Sequence, residues 1–316
     1  MQNFSERHIR VYSPASVANV GCGFDIFAFA LAEPGDEIHL TLTQKKGVKI
    51  NKITGIPSLP SDPQKNTAGV SLLAMLEDIG ADFGVEIEIH KKMPFKSGLG
   101  SSAASAVGSV FALNRLARLG LSNEILLKYA MAGEKIASFN QVHLDNISAC
   151  LYGGFILARS QNPVEIIKIP VPENLHYMIL HPHINIDTSE ARQILPQLIK
   201  LSSAIEQWAN TAALMTAFFR EDYDLMQRAV SDNIIEPIRA REIPYFQEMK
   251  ETALHTGCVG FGVSGSGPSV FALARSAQEA EMIRKNLSCF YQTKKIPFDT
   301  YAGKINTEGP RVLSVT

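Results

Sequence analysis

The sequence of 316 residues lacks the features of a membrane protein or a nucleic-acid-binding protein. No apolar run reaches the roughly eighteen residues that a membrane-spanning helix needs. The formal net charge is −1, so there is no basic excess to attract nucleic acid or an anionic membrane. The first residues, MQNFSER, have neither the basic start nor the apolar centre of a signal peptide. We therefore expect a cytoplasmic protein that binds neither nucleic acid nor membranes.

Closely spaced cysteines and one common nucleotide-binding motif are also absent. The four cysteines, Cys22, Cys150, Cys258 and Cys289, lie far apart and form no C-x-x-C pair. This spacing indicates neither a zinc cage nor a disulfide framework. The pattern G-x-x-x-x-G-K-[ST] occurs nowhere, which excludes a Walker A phosphate loop.

The length and the pattern of apolar residues favour two mixed domains. A chain of 316 residues is long for one core and sufficient for two. Alternating strands are mixed with helices without a regular order, which predicts an α+β fold in layers. The turn at residues 161–163, Gln-Asn-Pro, is the predicted boundary, so the two domains would cover residues 1–160 and 161–316.

The most informative stretch is the glycine-rich segment at residues 94–104, PFKSGLGSSAA. It follows an alternating strand at residues 85–90 and leads into a helix of small apolar residues. Free N–H groups and the positive end of the helix dipole make such a helix start a binding site for an anion such as a triphosphate. Lys96 would neutralise phosphate charge, and the hydroxyl of Ser101 or Ser102 would ligate Mg²⁺.

Two other interpretations of this segment are open. Gly98, Gly100 and Ala103 fit the dinucleotide pattern G-x-G-x-x-A, but the preceding strand alternates instead of being continuously apolar. No acidic residue ends a strand about twenty residues later, as that pattern requires. The segment could also be a turn that binds nothing. The placement of proline, lysine and two serines around the glycines favours the phosphate site.

Polar residues elsewhere are ambiguous when taken alone. Asn19 and Asp25 bracket a loop with two glycines, and such residues often serve only to form turns. His143 and Asp145 stand at a predicted helix start, where they could simply be local polar groups. A buried cluster of these side chains would instead favour a functional site.

Three segments in order resemble the GHMP kinases, a family that phosphorylates galactose, homoserine, mevalonate and related alcohols. Residues 94–103 are similar to the phosphate loop of that family, and residues 16–25 and 262–271 are similar to its two other motifs. Within the family, residues 19–25, 143–146 and 236–239 are most similar to the members that act on homoserine. The resemblance implies a first domain like domain 2 of ribosomal protein S5 and a ferredoxin-like second domain. It further implies ATP- and Mg²⁺-dependent phosphorylation of the L-homoserine hydroxyl in threonine biosynthesis, and it leaves a homodimer open.

The resemblance also assigns residues to roles. The positions for ATP are Pro94, Lys96, Ser97, Gly98, Leu99, Gly100, Ser101, Ser102, Ala103 and Ala104. Ser102 and Glu134 would hold Mg²⁺, although Glu134 and His143 are one residue further apart than in the family pattern, which an insertion at Asn140 or Gln141 would explain. The positions around the amino acid are Asn19, Asp25, His143, Arg192, Arg239 and Gly265. Asp145 and Asn146 take the catalytic positions, with Asp145 as a base or an orienting group.

The chemistry of the substrate supports these assignments, and two rival functions remain. An amino acid carries an ammonium and a carboxylate, which call for an acid such as Asp25 and for guanidinium groups such as Arg192 and Arg239. Either arginine could instead be a surface charge or a salt bridge between domains. The rivals are a kinase of the same family for mevalonate, shikimate or a sugar, and a non-catalytic binding protein. A protein that only binds would not need the pair of Mg²⁺ ligands.

Overall fold

The computed structural model describes residues 7–137 and 142–316, whose strands form two sheets. The seven-stranded sheet has the order β11-β1-β2-β4-β3, with β5 beside β2 and β6 beside β5. Its strands are β1 (His8–Ala18), β2 (Phe27–Thr43), β3 (Gly47–Thr54), β4 (Gly84–His90), β5 (Phe155–Gln161), β6 (Val164–Ile169) and β11 (Arg311–Val315). The four-stranded sheet has the order β10-β7-β9-β8 and consists of β7 (His176–Pro182), β8 (Gly260–Val263), β9 (Val270–Ala274) and β10 (Phe298–Lys304).

The helices of the described residues cover these sheets. They are α1 (Thr67–Asp78), α2 (Ser101–Leu116), α3 (Asn123–Ala137), α4 (Leu144–Tyr152), α5 (Thr188–Gln193), α6 (Leu201–Arg220), α7 (Tyr223–Ala229), α8 (Glu236–Arg239), α9 (Phe246–His255) and α10 (Ala277–Gln292). Helix α2 packs on β1 and β2, with α1, α3 and α4 around it. Its alanines, serines and glycine permit this central position because they are small enough for close contact on every side. Within the described residues no helix is both long and apolar enough to cross a membrane.

The long strand β2 connects the two parts of the first sheet. Its start, at residues 27–29, pairs with β5, and its end, at residues 37–43, pairs with β4. Strand β1 runs antiparallel to β2 along nearly its whole length, with a shift of register between Pro14 and Ser16. The loop at residues 19–26 joins the end of β1 to the start of β2, the part of β2 that pairs with β5.

The turn that we predict as the domain boundary lies within one sheet. Residues 162–163 join β5 to β6, and these strands pair antiparallel in the seven-stranded sheet. Strand β11 also returns to that sheet, where it pairs with β1. An Asn-Pro turn is a signal for a tight hairpin as much as for a linker. When the chain is divided according to its two sheets, the boundary falls between the end of β6 at Ile169 and the start of β7 at His176. The last strand, β11, belongs to the first sheet.

A shared cluster of aromatic side chains fills the space between the two sheets. Phe155 on β5 lies 4.4 Å from Phe218 on α6, measured between ring centroids. Phe29 on β2 meets Phe271 on β9 edge to face at 6.1 Å. The hydroxyl of Tyr177 on β7 donates a 2.7 Å hydrogen bond to the carbonyl of Glu33. The prediction of α+β layers is confirmed, and a continuous core joins the units.

Two neighbouring phenylalanines on α6 provide a test of this core. The side chain of Phe218 is 1% exposed and that of Phe219 is 64% exposed. We expect Phe218→Ala to lower the free energy of unfolding by about 3–5 kcal/mol, because it removes a ring from a packed core. Phe219→Ala, the matched control, should change it by no more than about 0.5 kcal/mol. Urea denaturation measures both values, and equal effects would contradict the described packing.

Candidate active site

Three loops meet at one end of the first sheet, and hydrogen bonds hold them together. We call residues 19–26 the first loop, residues 94–100 the glycine loop and residues 264–269 the third loop. Four hydrogen bonds join these loops and the adjacent end of β1: Ser16 N–H to Leu99 O (3.1 Å), Gly265 N–H to Ala18 O (2.9 Å), Ser269 N–H to Ser97 O (3.2 Å) and Ser264 Oγ to Gly98 O (2.8 Å).

Glycine is required at two positions of the glycine loop. Gly98 and Gly100 have φ angles of +76° and +66°, in the region that favours glycine. A Cβ atom at residue 98 would lie 2.4 Å from the carbonyl oxygen of Ser264, and one at residue 100 would lie 2.1 Å from Ser16 Oγ. Because neither glycine has a side chain, the backbone of the glycine loop can lie against Ser264 and Ser16. For the same reason a ligand can contact this backbone directly.

Helix α2 begins directly after this loop without a side-chain cap. Its N-terminal flanking residue, Gly100, makes no capping hydrogen bond through a side chain. The N–H groups of the first turn therefore point towards the end of the helix, where an anion can accept them. Ser101 and Ser102 stand half-buried at this end, whereas Ala103 and Ala104 are fully buried in the core.

A buried ion pair that sequence analysis missed supports the helix start. Lys91 Nζ contacts the Asp36 carboxylate and donates to Ser101 O at 2.7 Å and to Ser105 Oγ at 2.9 Å. The same carboxylate accepts the backbone N–H of Lys92 at 2.8 Å. The only signal in the sequence is the pair of lysines at residues 91–92, because two basic residues directly precede a predicted phosphate site. Removing one partner would leave a buried charge unpaired, which is costly.

Ser102 and Glu134, the predicted Mg²⁺ ligands, are in contact. Ser102 Oγ donates to Glu134 Oε1 at 3.2 Å, and His143 Nδ1 lies 2.9 Å from the same oxygen. A hydroxyl beside a carboxylate fits Mg²⁺, which takes few protein ligands and keeps several waters. Burial alone would lower the pKa of His143, but the hydrogen bond with Glu134 and nearby carboxylates raise it above its ordinary value. A protonated His143 would therefore compete with a metal ion for Glu134.

Asp145 is buried next to this pair, at the start of α4. Its Oδ1 accepts the N–H of Asn146 at 2.8 Å. Burial, and secondly the negative charge of Asp25, raise the pKa of Asp145 to about 6. Asn146 Oδ1 accepts a hydrogen bond from Ser16 Oγ at 2.8 Å, which fixes the start of α4 against the end of β1. A carboxyl group that titrates near neutral pH is suited to proton transfer.

Arg239 reaches the cavity from the short helix α8. Its guanidinium is buried, and Nη1 donates to the carbonyl of Gly265. Its Nε has no hydrogen-bond partner among residues 7–137 and 142–316. Burial lowers the pKa of Arg239 to about 10 although Asp25 opposes this. Glu236, at the other end of α8, contacts Lys250 of α9 and so anchors the helix.

Arg192 and Asp25 bind each other in the structure. Arg192 donates Nη1–H and Nη2–H to the two oxygens of Asp25 at 2.9 Å and 2.5 Å. The guanidinium carbons of Arg192 and Arg239 lie 5.4 Å and 5.0 Å from the centre of the Phe24 ring. We expected Asp25 and Arg192 to bind opposite ends of a ligand separately. In the structure the two charges neutralise each other.

Asn19 contributes to the loop itself. Its Oδ1 accepts the N–H of Asp25 at 2.8 Å, and its Nδ2 donates to the carbonyl of Gly265 at 3.0 Å. The turn-forming role that sequence analysis left open is thus part of its function in the fold. These bonds place Asp25 and Gly265 at the same wall of the cavity.

The three loops surround a cavity of about 1040 Å³. Predicted residues in its lining include Ser102, Glu134, His143, Asp145, Arg192 and Arg239. Lys96 lies at the rim, where its Nζ is 2.9 Å from Asp187 Oδ2. Pro94, Ala103 and Ala104 do not line it. Asn140 and Gln141, the proposed insertion, lie outside the described residues.

Sequence analysis did not predict the apolar side chains in the cavity lining. They include Ile56, Leu59, Pro60 and Phe95. Apolar side chains of this kind suit the base of a nucleotide whose phosphates lie at α2. The loop before α1, from which three of these residues come, has no motif that would have revealed them.

Comparisons with known proteins agree with this geometry. Residues 66–154 match the family model "GHMP kinases N terminal domain", and residues 214–293 match "GHMP kinases C terminal". A homoserine kinase of Chloroherpeton thalassium is 40% identical over 97% of this chain and 100% of its own. The crystal structure of a homoserine kinase from Cytophaga hutchinsonii superposes with a TM-score of 0.95, at 45% identity and 98% coverage of both chains. L. major mevalonate kinase, at 19% identity over 96% of this chain and 99% of its own, shares the fold with a TM-score of 0.72.

The pKa of Asp145 predicts how stability depends on pH. The folded-state pKa, about 6, is above the ordinary value of 3.8, so the folded chain holds a proton that the unfolded chain has released between these values. Stability should therefore fall as the pH rises from about 4 to about 6, by on the order of 2–3 kcal/mol from this group. Asp145→Asn removes this loss.

Urea denaturation of the wild type and Asp145→Asn between pH 4 and 7.5 measures how the free energy of unfolding of each depends on pH. Groups that titrate alike in the two proteins cancel when the two profiles are compared. Parallel profiles for the wild type and Asp145→Asn would show that the Asp145 carboxyl is not shifted.

Proposed function

Because the chain belongs to the GHMP kinase family, we propose that it transfers the γ-phosphoryl group of ATP to the hydroxyl of L-homoserine. The products are O-phospho-L-homoserine and ADP, and the step belongs to threonine biosynthesis. The observation that carries the choice of substrate is identity of about 40% with homoserine kinases over nearly the whole chain. The polar groups of the cavity support the same choice.

The glycine loop and α2 form the binding site for the triphosphate. The N–H groups at the start of α2 and the positive end of its dipole face the cavity. The Lys91–Asp36 pair beneath them fixes the first turn through Ser101 O. Lys96, which contacts Asp187 at the rim, can turn towards a phosphate because its side chain is partly exposed. The apolar side chains of Ile56, Leu59, Pro60 and Phe95 in the cavity lining would contact the adenine.

Ser102 and Glu134 would hold Mg²⁺. When bound, the ion neutralises charge on the phosphates during transfer. Glu134 must then release its contact with His143, which is free to face the amino acid instead. Lower pH favours protonated His143 and should weaken the metal site.

The Arg192–Asp25 pair matches an amino acid in charge. A zwitterion brings a carboxylate for a guanidinium and an ammonium for a carboxylate, so it can insert between the two partners and replace each contact. Arg239, whose buried Nε lacks a partner in the described residues, supplies a second donor for the substrate carboxylate. The carbonyl of Gly265 accepts hydrogen bonds from both Asn19 and Arg239 and so holds Arg239 in place.

Asp145 is assigned to the reacting hydroxyl. The substrate oxygen forms a bond to the γ-phosphorus while the bond from that phosphorus to the bridging oxygen of ADP breaks. Asp145 orients the hydroxyl and takes up its proton, which is possible near neutral pH because its pKa is about 6. Asn146 keeps the Asp145 backbone in position through Ser16.

A cytoplasmic location and a homodimer belong to the same proposal. All four cysteines lie in the described residues and form no disulfide there, as is usual in a reducing compartment.

The homodimer is suggested by exposed apolar side chains. Leu198, Leu201 and Trp208 are large and exposed, and a partner copy would cover them.

Measuring ADP release with ATP, Mg²⁺ and a panel of alcohols tests the proposed reaction. We expect L-homoserine to give ADP well above the buffer level, and mevalonate, shikimate and galactose to give little. Preference for another alcohol would contradict the assignment of L-homoserine as substrate, and no ADP with any alcohol would support a binding protein.

The variant Glu134→Gln should lower kcat at least tenfold, because it removes a proposed Mg²⁺ ligand. Glu124→Gln on the same helix should leave kcat unchanged, because Glu124 is exposed.

A further inference from the structure

Two histidines and a glutamate meet on the outer face of the first sheet, away from the cavity. His39 on β2 pairs directly with Glu88 on β4, and Glu37 pairs with His90 two residues further along. The intervening residues Ile38 and Ile89 point to the opposite face, where they are buried in the core. One ligand atom each of His39, Glu88 and His90 lies within 4.8 Å of the others.

We propose that His39, Glu88 and His90 bind a divalent cation of the zinc type. Glu88 Oε2 lies 3.1 Å from His90 Nε2 and 3.9 Å from His39 Nδ1. Zinc bonds of about 2.0–2.2 Å in tetrahedral geometry separate the ligand atoms by about 3.3 Å, so small side-chain movements suffice. The group is partly exposed, so water can take the fourth position.

A neighbouring oxygen can hold a proton on the second ring nitrogen of each histidine when the first nitrogen binds a metal. His90 Nδ1 lies 3.1 Å from Thr54 Oγ1, which can accept its proton and leave Nε2 free to bind a metal. His39 Nε2 lies 3.5 Å from Glu37 Oε2, so a proton on Nε2 would be held by a carboxylate. A carboxylate or hydroxyl behind each ligating histidine is the usual arrangement in metal sites.

Two cationic side chains, Arg10 and Lys92, lie beside the cluster. Arg10 donates Nε–H to His39 Nε2 at 3.1 Å and must move aside when that nitrogen carries the proton. Its side chain is 45% exposed and can do so. Lys92 and Arg10 both contact Glu37, whereas the Glu88 carboxylate contacts the two histidines.

The ligand set selects against Mg²⁺. Imidazole nitrogen suits zinc and related transition metals, whereas Mg²⁺ prefers oxygen ligands and retained waters. A bound ion would link β2 to β4 at His90, the residue before Lys91. Because Lys91 supports the first turn of α2, the ion should stabilise the end of the sheet that carries the glycine loop.

Zinc titration of the full chain tests this site. Every protein carries Cys289→Ser, because Cys289 is an exposed thiol that zinc would also bind. Excess Mg²⁺ is present, and zinc affinity is measured by competition with a chromophoric chelator and by the change in Tm. We expect one zinc per chain with micromolar or tighter affinity and a raised Tm. His39→Ala and His90→Ala should each weaken binding at least tenfold and abolish the rise in Tm.

His8→Ala is the matched control. The His8 ring lies 6.0 Å from that of His39 on the same face but is bonded to Thr41, so its removal should leave zinc affinity unchanged. If either alanine variant fails to fold, Glu88→Gln replaces it, because this exposed side chain can change without loss of packing. Glu37→Gln should weaken binding about 10- to 100-fold. Absence of stoichiometric binding, or equal affinity in the wild type and the His39 and His90 variants, would overturn the proposal.

Discussion

The contact between the glycine loop and the third loop fixes the geometry of the whole cavity. Gly98 O accepts the hydroxyl of Ser264, and on the other side Gly265 N–H donates to Ala18 O. Ser264 and Ala18 are buried, so losing either bond would be costly. The start of α2, which follows the glycine loop, is held by Lys91. Hydrogen bonds therefore fix the end of the cavity where we place the phosphates.

The same arrangement sets the distance between the start of α2 and the charged residues that we assign to the substrate. The carbonyl of Gly265 accepts bonds from Asn19 in the first loop and from Arg239 in α8. Phosphoryl transfer depends mainly on positioning and charge stabilisation. A carbonyl that holds both polar groups next to the glycine loop supplies that positioning. The opposing charges of Arg192 and Asp25 keep this wall neutral until a zwitterion can replace their contact.

Sequence patterns predicted the local features and missed the distant pairings. Strand β4 and helix α2 flank the glycine loop, as the sequence predicts. Strand β2 contains Pro34 and Gly35, residue types that weaken a strand, and its register with β1 shifts between Gly35 and Ala30. The Lys91–Asp36 pair and the Asp25–Arg192 pair join residues distant in sequence, and no local pattern encodes such contacts. The resemblance nevertheless indicated which residues would share the cavity, and the structure brings Ser102, Glu134 and His143 into contact.

The most direct test of this geometry is the kinetics of Arg239→Lys. Lysine keeps the positive charge but loses the planar set of donors. If the loops bring Arg239 to the substrate carboxylate, kcat/KM for L-homoserine should fall roughly ten- to a hundredfold, since one charge-assisted hydrogen bond is worth about 1.5–3 kcal/mol. The Kd for ATP should stay nearly constant, because we assign the phosphates to α2 and the glycine loop. Tm should confirm that the chain remains folded. An unchanged kcat/KM for L-homoserine in a folded variant would contradict the assignment of this cavity to an amino acid.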